Sequence, residues 1–509
     1  MHANTFNRRS ELLAAGAALC LAAACGQNEE ASVGADTAAA GGAAGSAVMA
    51  DVNSIRGEPA EANHFIRTPE GWQHPTTEWG DPDISATLDM MQAAGVPLER
   101  CANRFGRGGV RECDMNKVWN TEEEYEEAVA QAEGRVDTST QALEEGNLGL
   151  SIRTGLTDPN IPQRQTNLIV DPQSGVLPEL TPWAKEQAHL MGSDWALPGE
   201  TINFQDQSDF DSWDRCITRG LPSMMMPYRY NGGFKIHQSP GYVIFDIEMI
   251  HETRVIPVHD VPPLNDEIRQ HLGESRGYWD GTTLVVETTN FNADPSINRP
   301  LINLAVVGSP PGNRFPVSDQ MKITERVTRL NDEVWLYEIT TEDPEVLEGP
   351  FTVRYPLRHD PEYWWPEYAC HEDNTIVPNY VSANRAERAN PTPEPPQEPQ
   401  QVDEEIAEML DGRWIGQPDV HTIDYQIEVA FTDNGDGTVN GRLIGTTLAE
   451  GNIDRPLRNF QIADGNMTFT FPNADPWSYS GSISLEDEAI SGFTSSAQGG
   501  VELTFRPAN

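Results

Sequence analysis

The sequence predicts a mainly β protein: an antiparallel β sandwich or barrel domain with a helical N-terminal wrap, followed by a small C-terminal meander β-barrel. Three observations predict it. From Phe234 the apolar period becomes two, through FKIHQS, YVIFDIEMI, ETRVIPV, GTTLVVETTNF, QMKITERVTRL, EVWLYEITTED and FTVRYPLR, each bounded by Gly, Pro or Asn-Gly. The run from Ala389 to Glu404, ANPTPEPPQEPQQVDE, has no residues with which to build a core and reads as a linker. Beyond it the short helix EEIAEMLDG precedes Trp414-Ile415-Gly416 and the strands YQIEVAFT, TVNGRLIGTT, RNFQIAD, MTFTFP, YSGSISLED, AISGFTSS and VELTFRP, with Asn, Asp and Gly at the turns.

The elements divide into five spans. Residues 1–25 carry Arg8 and Arg9, an apolar run from Leu12 to Ala24, and Cys25. This resembles a bacterial lipoprotein signal, in which Cys25 would be the lipidated first residue of the mature chain. The run is too short to cross a bilayer, which takes roughly 20 apolar residues, so contact with a membrane is expected only through a lipid anchor. Residues 26–60 are rich in Ala, Gly, Ser and acids and read as a disordered tether. Residues 61–389 form the main β-rich domain with its N-terminal helical and loop region. Within it, Thr121 to about Glu145 has a capping Thr121, acids in the first turn and apolar residues at helical spacing. Residues 390–403 are the Pro-rich linker and 404–509 the small barrel.

At 509 residues the chain is too long for one core, and its net charge of −45 repels nucleic acid and anionic lipid. Nucleic acid is therefore excluded as a partner, and a small-molecule ligand or substrate is expected. With Cys20 and Cys25 in the signal, Cys101, Cys113, Cys216 and Cys370 remain. Four cysteines allow three pairings. The glycines between Cys101 and Cys113 favour a local bridge there and leave a long-range Cys216–Cys370 bridge; a metal site is the alternative, but no CxxC spacing supports it.

The segments TNLIVDPQSGVLPELTP, QSPGYVIFDIEMIHETRVIP, WDGTTLVVETTNF and EYACHEDN carry a resemblance to a family of exported bacterial proteins. The match spans about Arg164 to Arg388. The resemblance implies an exported, mostly β protein with a buried cysteine pair, and no particular reaction; together with the lipoprotein-like signal, a periplasmic or outer-membrane-anchored protein of the cell envelope is expected. The C-terminal part resembles a lipocalin-type barrel module.

Candidate chemistry concentrates between Gly241 and Phe291. Glu248, His251 and Arg254 recur at spacings of three, so an unbroken strand sends them alternately to opposite faces. A bulge or turn between Met249 and Glu252 would bring Glu248 and His251 together as base and orienter, the catalytic arrangement expected of an exported hydrolase, lyase or isomerase. Otherwise they are structural hydrogen-bonding groups of the wall. His259 and Asp260 stand at a strand end, where they could bind a ligand or cap a turn. Arg276 offers a cation to an anionic group and Trp279 a stacking face. His371 and Glu372, beside Cys370, remain as ligand or site groups, while Cys370 itself reads as a disulfide partner rather than a nucleophile. Met224, Met225 and Met226 suit a cavity lining or core filling. No HxH, HExxH, Walker or dinucleotide motif is present, so no metal or cofactor is implied. Two functions are open: binding of a hydrophobic or amphipathic small molecule in the β domain, or acid–base catalysis on a small organic substrate.

Overall fold

The computed structural model describes residues 68–93, 96–101, 114–128, 130–131, 165–188, 199, 204–210, 212–228, 231–293, 316–363, 365, 367–372, 374–390, 396–418, 426–446, 453–472, 477–496 and 500–508. The signal, Cys25, the tether and Cys113 lie outside them. The protein is mainly β, and every strand pairing in its sheets is antiparallel.

The alternating stretches become the strands their period demands. Strands β1 (Ala86–Asp89), β3 (Gly233–Ser239), β4 (Tyr242–Ile247) and β5 (Glu252–Pro257) make a four-stranded sheet in the order β1-β3-β4-β5. Strands β2 (Ile169–Asp171), β6 (Glu274–Asp280), β7 (Thr283–Thr289), β8 (Lys322–Arg329), β9 (Val334–Glu342) and β10 (Phe351–Arg358) make a second, in the order β2-β10-β9-β8-β7-β6. The sheets meet at both edges. Strand β5 lies against β6, β1 lies against β10, and Leu88 bridges to His359. One hydrophobic core runs across both sheets, so together they form a nearly closed barrel.

Register fixes the barrel's inner face. Paired residues share a side and successive residues alternate. Phe245 pairs with Ile236 and Arg254, Thr288 with Ser275, Val286 with Gly277 and Glu325, and Ile339 with Glu325 and Val353. Continued around the wall, this set includes Phe234, Ile256, Leu284, Val327, Trp335, Tyr337, Tyr355 and Leu357, all of them buried.

Residues 82–85 close one end. Trp335 Nε1 donates to the Ile84 carbonyl at 3.0 Å, and Gln238 accepts from the Ile84 amide at 2.7 Å and donates to the Pro82 carbonyl at 2.9 Å. At the other end, where β5, β8 and β10 begin and β4, β7 and β9 finish, a buried segment crosses over. It contains Thr218, Arg219 and the Ser223–Met225 turn, and Met224, Met225 and Met226 sit within the main core. Cys216 bonds to Cys370 with Cα atoms 5.6 Å apart, tying this segment to the chain that follows β10.

Two elements depart from expectation. The helix anticipated from Thr121 is helical over residues 122–128, with Thr121 Oγ1 accepting from Glu124 N at 3.3 Å and Glu124 Oε2 accepting from Thr121 N at 2.8 Å, a reciprocal cap; its expected continuation past 131 to Glu145 lies outside the described residues. A second helix, Ile376–Ala389, was not legible in the sequence. It stands Pro378 in its first turn, where a missing N–H costs nothing, and packs Val381 with Phe204 and Phe210.

The remaining strands are β11 (Gln400–Gln401), β12 (Gly412–Pro418), β13 (Ile427–Asp433), β14 (Thr438–Thr446), β15 (Arg455–Pro456), β16 (Arg458–Ala463), β17 (Asn466–Thr470), β18 (Ser478–Ser484), β19 (Ala489–Ser495) and β20 (Gly500–Pro507). They form one sheet in the order β11-β14-β13-β12-β20-β19-β18-β17-β16, with β15 on β14 and β11 lying against β16. Gln400 and Gln401, read as linker, are strand residues paired with Val439 and Thr438. Trp414, Phe431, Phe469, Trp477, Tyr479 and Phe505 fill this sheet's own core.

Candidate functional site

The β4–β5 connection decides the fate of Glu248 and His251. Strand β4 stops at Ile247, and a tight turn over Met249–His251 carries Ile250 at φ 61° and His251 at φ 45°. The turn that the catalytic reading required is therefore present, yet it sends the side chains apart. Glu248 is buried; its Oε1 accepts from Asn231 Nδ2 at 2.6 Å, and its Oε2 accepts from the Gly233 amide at 3.0 Å and from the Tyr363 hydroxyl at 2.5 Å. It fastens β3 to the strap after β10. His251 is exposed and shares Nδ1 with the Tyr368 carbonyl at 2.9 Å.

Arg254 points the other way, into the barrel. Its guanidinium makes a fork on Glu325, with Nη1 to Oε1 at 2.9 Å and Nη2 to Oε2 at 2.5 Å. Nη2 also reaches Ser275 Oγ at 2.8 Å and Thr288 Oγ1 at 3.2 Å, and Tyr337 donates to Glu325 Oε1 at 2.7 Å. Strands β5, β6, β7, β8 and β9 each contribute one member, which only the concave face of the wall allows. Both charged side chains are almost fully buried, at 3% and 0% exposure. Burial works against the charge on Arg254, but the Glu325 carboxylate outweighs it and holds the guanidinium above its ordinary pKa. Burial, reinforced by Glu325, pushes the Tyr337 and Tyr355 phenols well up, so both stay protonated donors.

Glu252, one inward position before Arg254, meets the crossing segment. The Thr218 hydroxyl and the Arg219 amide donate to it. Burial pushes its carboxyl up to about 6, against the opposing pull of those hydrogen bonds and of the Arg219 and Arg254 cations. The Arg219 guanidinium is buried over the Trp213 and Tyr228 rings at 4.9 and 5.2 Å, and Tyr355 donates to the Met225 carbonyl.

The inner face is thus divided. Glu252, Arg254, Ser275, Thr288, Glu325 and Thr341 lie toward the end crossed by 218–226, whereas Val243, Ile256, Leu284, Val327, Trp335 and Leu357 line the opposite end. Among the described residues, no hydrogen-bond partner reaches Ser223 Oγ, Glu252 Oε2, Arg254 Nε or Thr341 Oγ1, all four of them buried.

The other sequence candidates are dispersed. Trp279 faces inward beside the apolar core; Arg276, three residues earlier, faces outward and donates to the Val261 carbonyl. His259 is exposed, with Nδ1 2.8 Å from the Gly241 carbonyl and its ring edge-on to Tyr242. Asp260, His371 and Glu372 are exposed. Among the described residues no three His, Cys, Asp or Glu side chains cluster as a metal site. Sequence reasoning found Arg254 but missed Glu325, Glu252, Ser275, Thr288 and Tyr337. A signal existed: in ETRVI and ITERV the charged residue occupies the phase of the apolar ones, Arg254 with Ile256 and Glu325 with Ile323 and Val327.

No family model matches the chain, and no curated protein matches it. Among solved structures, the chain is similar to a protein of unknown function from the DUF3598 family of Nostoc punctiforme, at 10% identity and a TM-score of 0.13 over 54% of this chain and 85% of that one. It is also similar to a double mutant of the vaccine antigen transferrin binding protein B from Haemophilus parasuis, at 11% identity and a TM-score of 0.14 over 85% of this chain and 96% of that one. Superpositions at these scores define no common fold.

Proposed function

We propose that this chain is an exported binding protein whose nearly closed barrel encloses a small amphipathic molecule. The polar end of the molecule lies against Arg254, Glu252 and Ser223, and its apolar end against Val243, Ile256, Leu284 and Val327. One observation carries the reading: polar inward residues are gathered at one end of an otherwise apolar interior, and four buried polar atoms there have no partner among the described residues. Leaving such a group unsatisfied costs about 1–3 kcal/mol, which a ligand head group supplying the missing partners relieves. Export is supported by the Cys216–Cys370 disulfide, a bond that persists in oxidising compartments, and by the lipoprotein-like N-terminal sequence, which would give anchorage through Cys25. The acid–base alternative draws no support from the geometry, because Glu248, His251 and Arg254 are each engaged with different partners.

The test is native mass spectrometry of protein purified without detergent, followed by titration of delipidated protein with dansylundecanoic acid and with the matching dansyl alkylamine, read as energy transfer from the protein's tryptophans. The expected result is a one-to-one adduct and saturable transfer with one head group preferred. An apo mass together with no saturable transfer from either probe rejects the reading.

A further inference from the structure

We infer that the seam between β5 and β6 is a lateral portal through which the bound molecule reaches the barrel interior, and that the crossover 258–273 is its cover. The inference rests on the binding reading above and adds the route.

Around the rest of the wall, neighbouring strands are joined by ladders of backbone hydrogen bonds, or at the β1–β10 edge by the Leu88–His359 bridge and the Asp360 amide donating to the Thr87 carbonyl at 2.8 Å. The β5–β6 seam differs. Strand β5 ends one sheet and β6 ends the other, and among the described residues no backbone hydrogen bond joins them. The strands run in the same direction there, since Arg254 reaches Ser275 and two residues on Ile256 stands against Gly277. What holds the seam is side-chain contact. Arg254 Nη2 bonds Ser275 Oγ, and Ile256 and Val258 close over Gly277, where an added Cβ would stand 3.1 Å from Ile256 Cγ2 and 2.9 Å from Val258 Cγ1. Unpaired sheet edges are ordinarily places of local opening and of new pairing.

Three further features converge on this seam. It opens directly onto the polar group proposed to hold the head of the ligand, because Arg254 and Ser275 are its own inward residues. Its outer lips carry Val255 and Tyr278, 58% and 50% exposed, so an apolar tail meets apolar side chains outside before the apolar interior inside. The crossover from β5 to β6 is anchored at its ends, where Val258 and Leu272 pack against the core and Gln270 exchanges backbone hydrogen bonds with Asn290 and Asn292. Its middle is held to β6 by polar contacts: the Leu264 amide donates to both Glu274 oxygens at 3.0 and 3.1 Å, and Arg276 donates to the Val261 carbonyl. Each is a contact that can be released without disturbing the core. This gives Arg276 a role as a positioning residue for the cover rather than a ligand contact.

A reversible staple tests the portal. The double variant Val258→Cys, Gly277→Cys places two thiols across the seam, where a Gly277 Cβ stands 2.9 Å from Val258 Cγ1, close enough for a disulfide, whose Cβ atoms lie roughly 3.5–4.5 Å apart. Full-length protein carrying the pair is mixed with dansylundecanoic acid, or with the dansyl amine if that is the probe the wild type binds, in stopped flow, before and after oxidation. Far-UV circular dichroism checks the fold, and wild-type protein under the same reagents controls for the native disulfide. The portal requires that oxidation abolish uptake, that reduction restore it, and that protein loaded before oxidation retain its probe. Uptake by the oxidised protein at the reduced rate overturns the portal while leaving the binding reading intact; no uptake by folded reduced or wild-type protein overturns the binding reading instead. Should the variant not fold, hydrogen exchange of the wild type decides: seam-facing amides of β5 and β6 are expected to exchange faster than those of β8, and equal protection overturns the portal.

Discussion

Removing Glu325 is the sharpest perturbation of the barrel interior. Glu325→Leu leaves the Arg254 guanidinium, 3% exposed, with two hydroxyls as its hydrogen-bond partners and the Glu252 carboxyl as its nearby acid, and deprives the Tyr337 phenol of its acceptor. Breaking a buried pair by deleting one partner costs about 3–5 kcal/mol, because the surviving charge stays desolvated. Deleting both charges is a different matter. In Arg254→Met, Glu325→Leu the Ser275 and Thr288 hydroxyls still bond each other at 2.9 Å, so only Tyr337 is orphaned, at about 1–3 kcal/mol, and the freed desolvation offsets part of that. The double variant is therefore expected to recover about 2 kcal/mol or more of the loss from the single one. Urea unfolding of wild type, both single variants and the double, followed by tryptophan fluorescence, measures the cycle. A Glu325→Leu cost below about 1 kcal/mol, or a double variant equal to the sum of the singles, would refute the claim that this pair is a dry, mutually dependent unit.

Glu252 gives a pH signature. Its carboxyl titrates near 4.5 when unfolded and is pushed up to about 6 by burial when folded, so the native state holds the proton more tightly. Its contribution is full below the unfolded value and is lost as pH rises through 6, about 2 kcal/mol in all; urea midpoints from pH 4 to 8 should show this fall, and Glu252→Gln should remove it. Cys216→Ser with Cys370→Ser opens a loop of 154 residues, for which chain entropy predicts a loss of about 4–5 kcal/mol, measured as a lowered Tm. In the C-terminal sheet, a Cβ on Gly492 would lie 2.1 Å from the Ser480 carbonyl oxygen on the paired strand. Gly492→Ala should cost about 1–3 kcal/mol or more, seen as early loss of protection in β18 and β19 by hydrogen exchange, with β7 and β8 unaffected.

The buried charges also show why a linear reading singles out Glu248 rather than Glu325. Glu248 sits beside His251 in sequence and within a tempting string, but its carboxylate is consumed by Asn231, Gly233 and Tyr363. Its partners are backbone and loop groups that a linear reading does not see.

By itself the sequence determined the elements whose causes are local. Period-two patterning with Gly and Asn at turns placed β3, β4, β5, β7, β8, β9 and β10 and the C-terminal meander, because the alternation of faces and the demand for positive φ are properties of a few adjacent residues. It also indicated the Cys216–Cys370 bridge by elimination and singled out Arg254. Tertiary structure alone decided which acid Arg254 meets. Glu325 is 71 residues away, and the two come together only because the arrangement of β5, β6, β7 and β8 puts them on one concave face. Likewise, nothing local announces that β1 pairs with β3, that a helix covers Phe204 and Phe210, or that the wall is left unladdered between β5 and β6. Those are outcomes of closure, in which the curvature and stagger of the whole sheet set which edges touch.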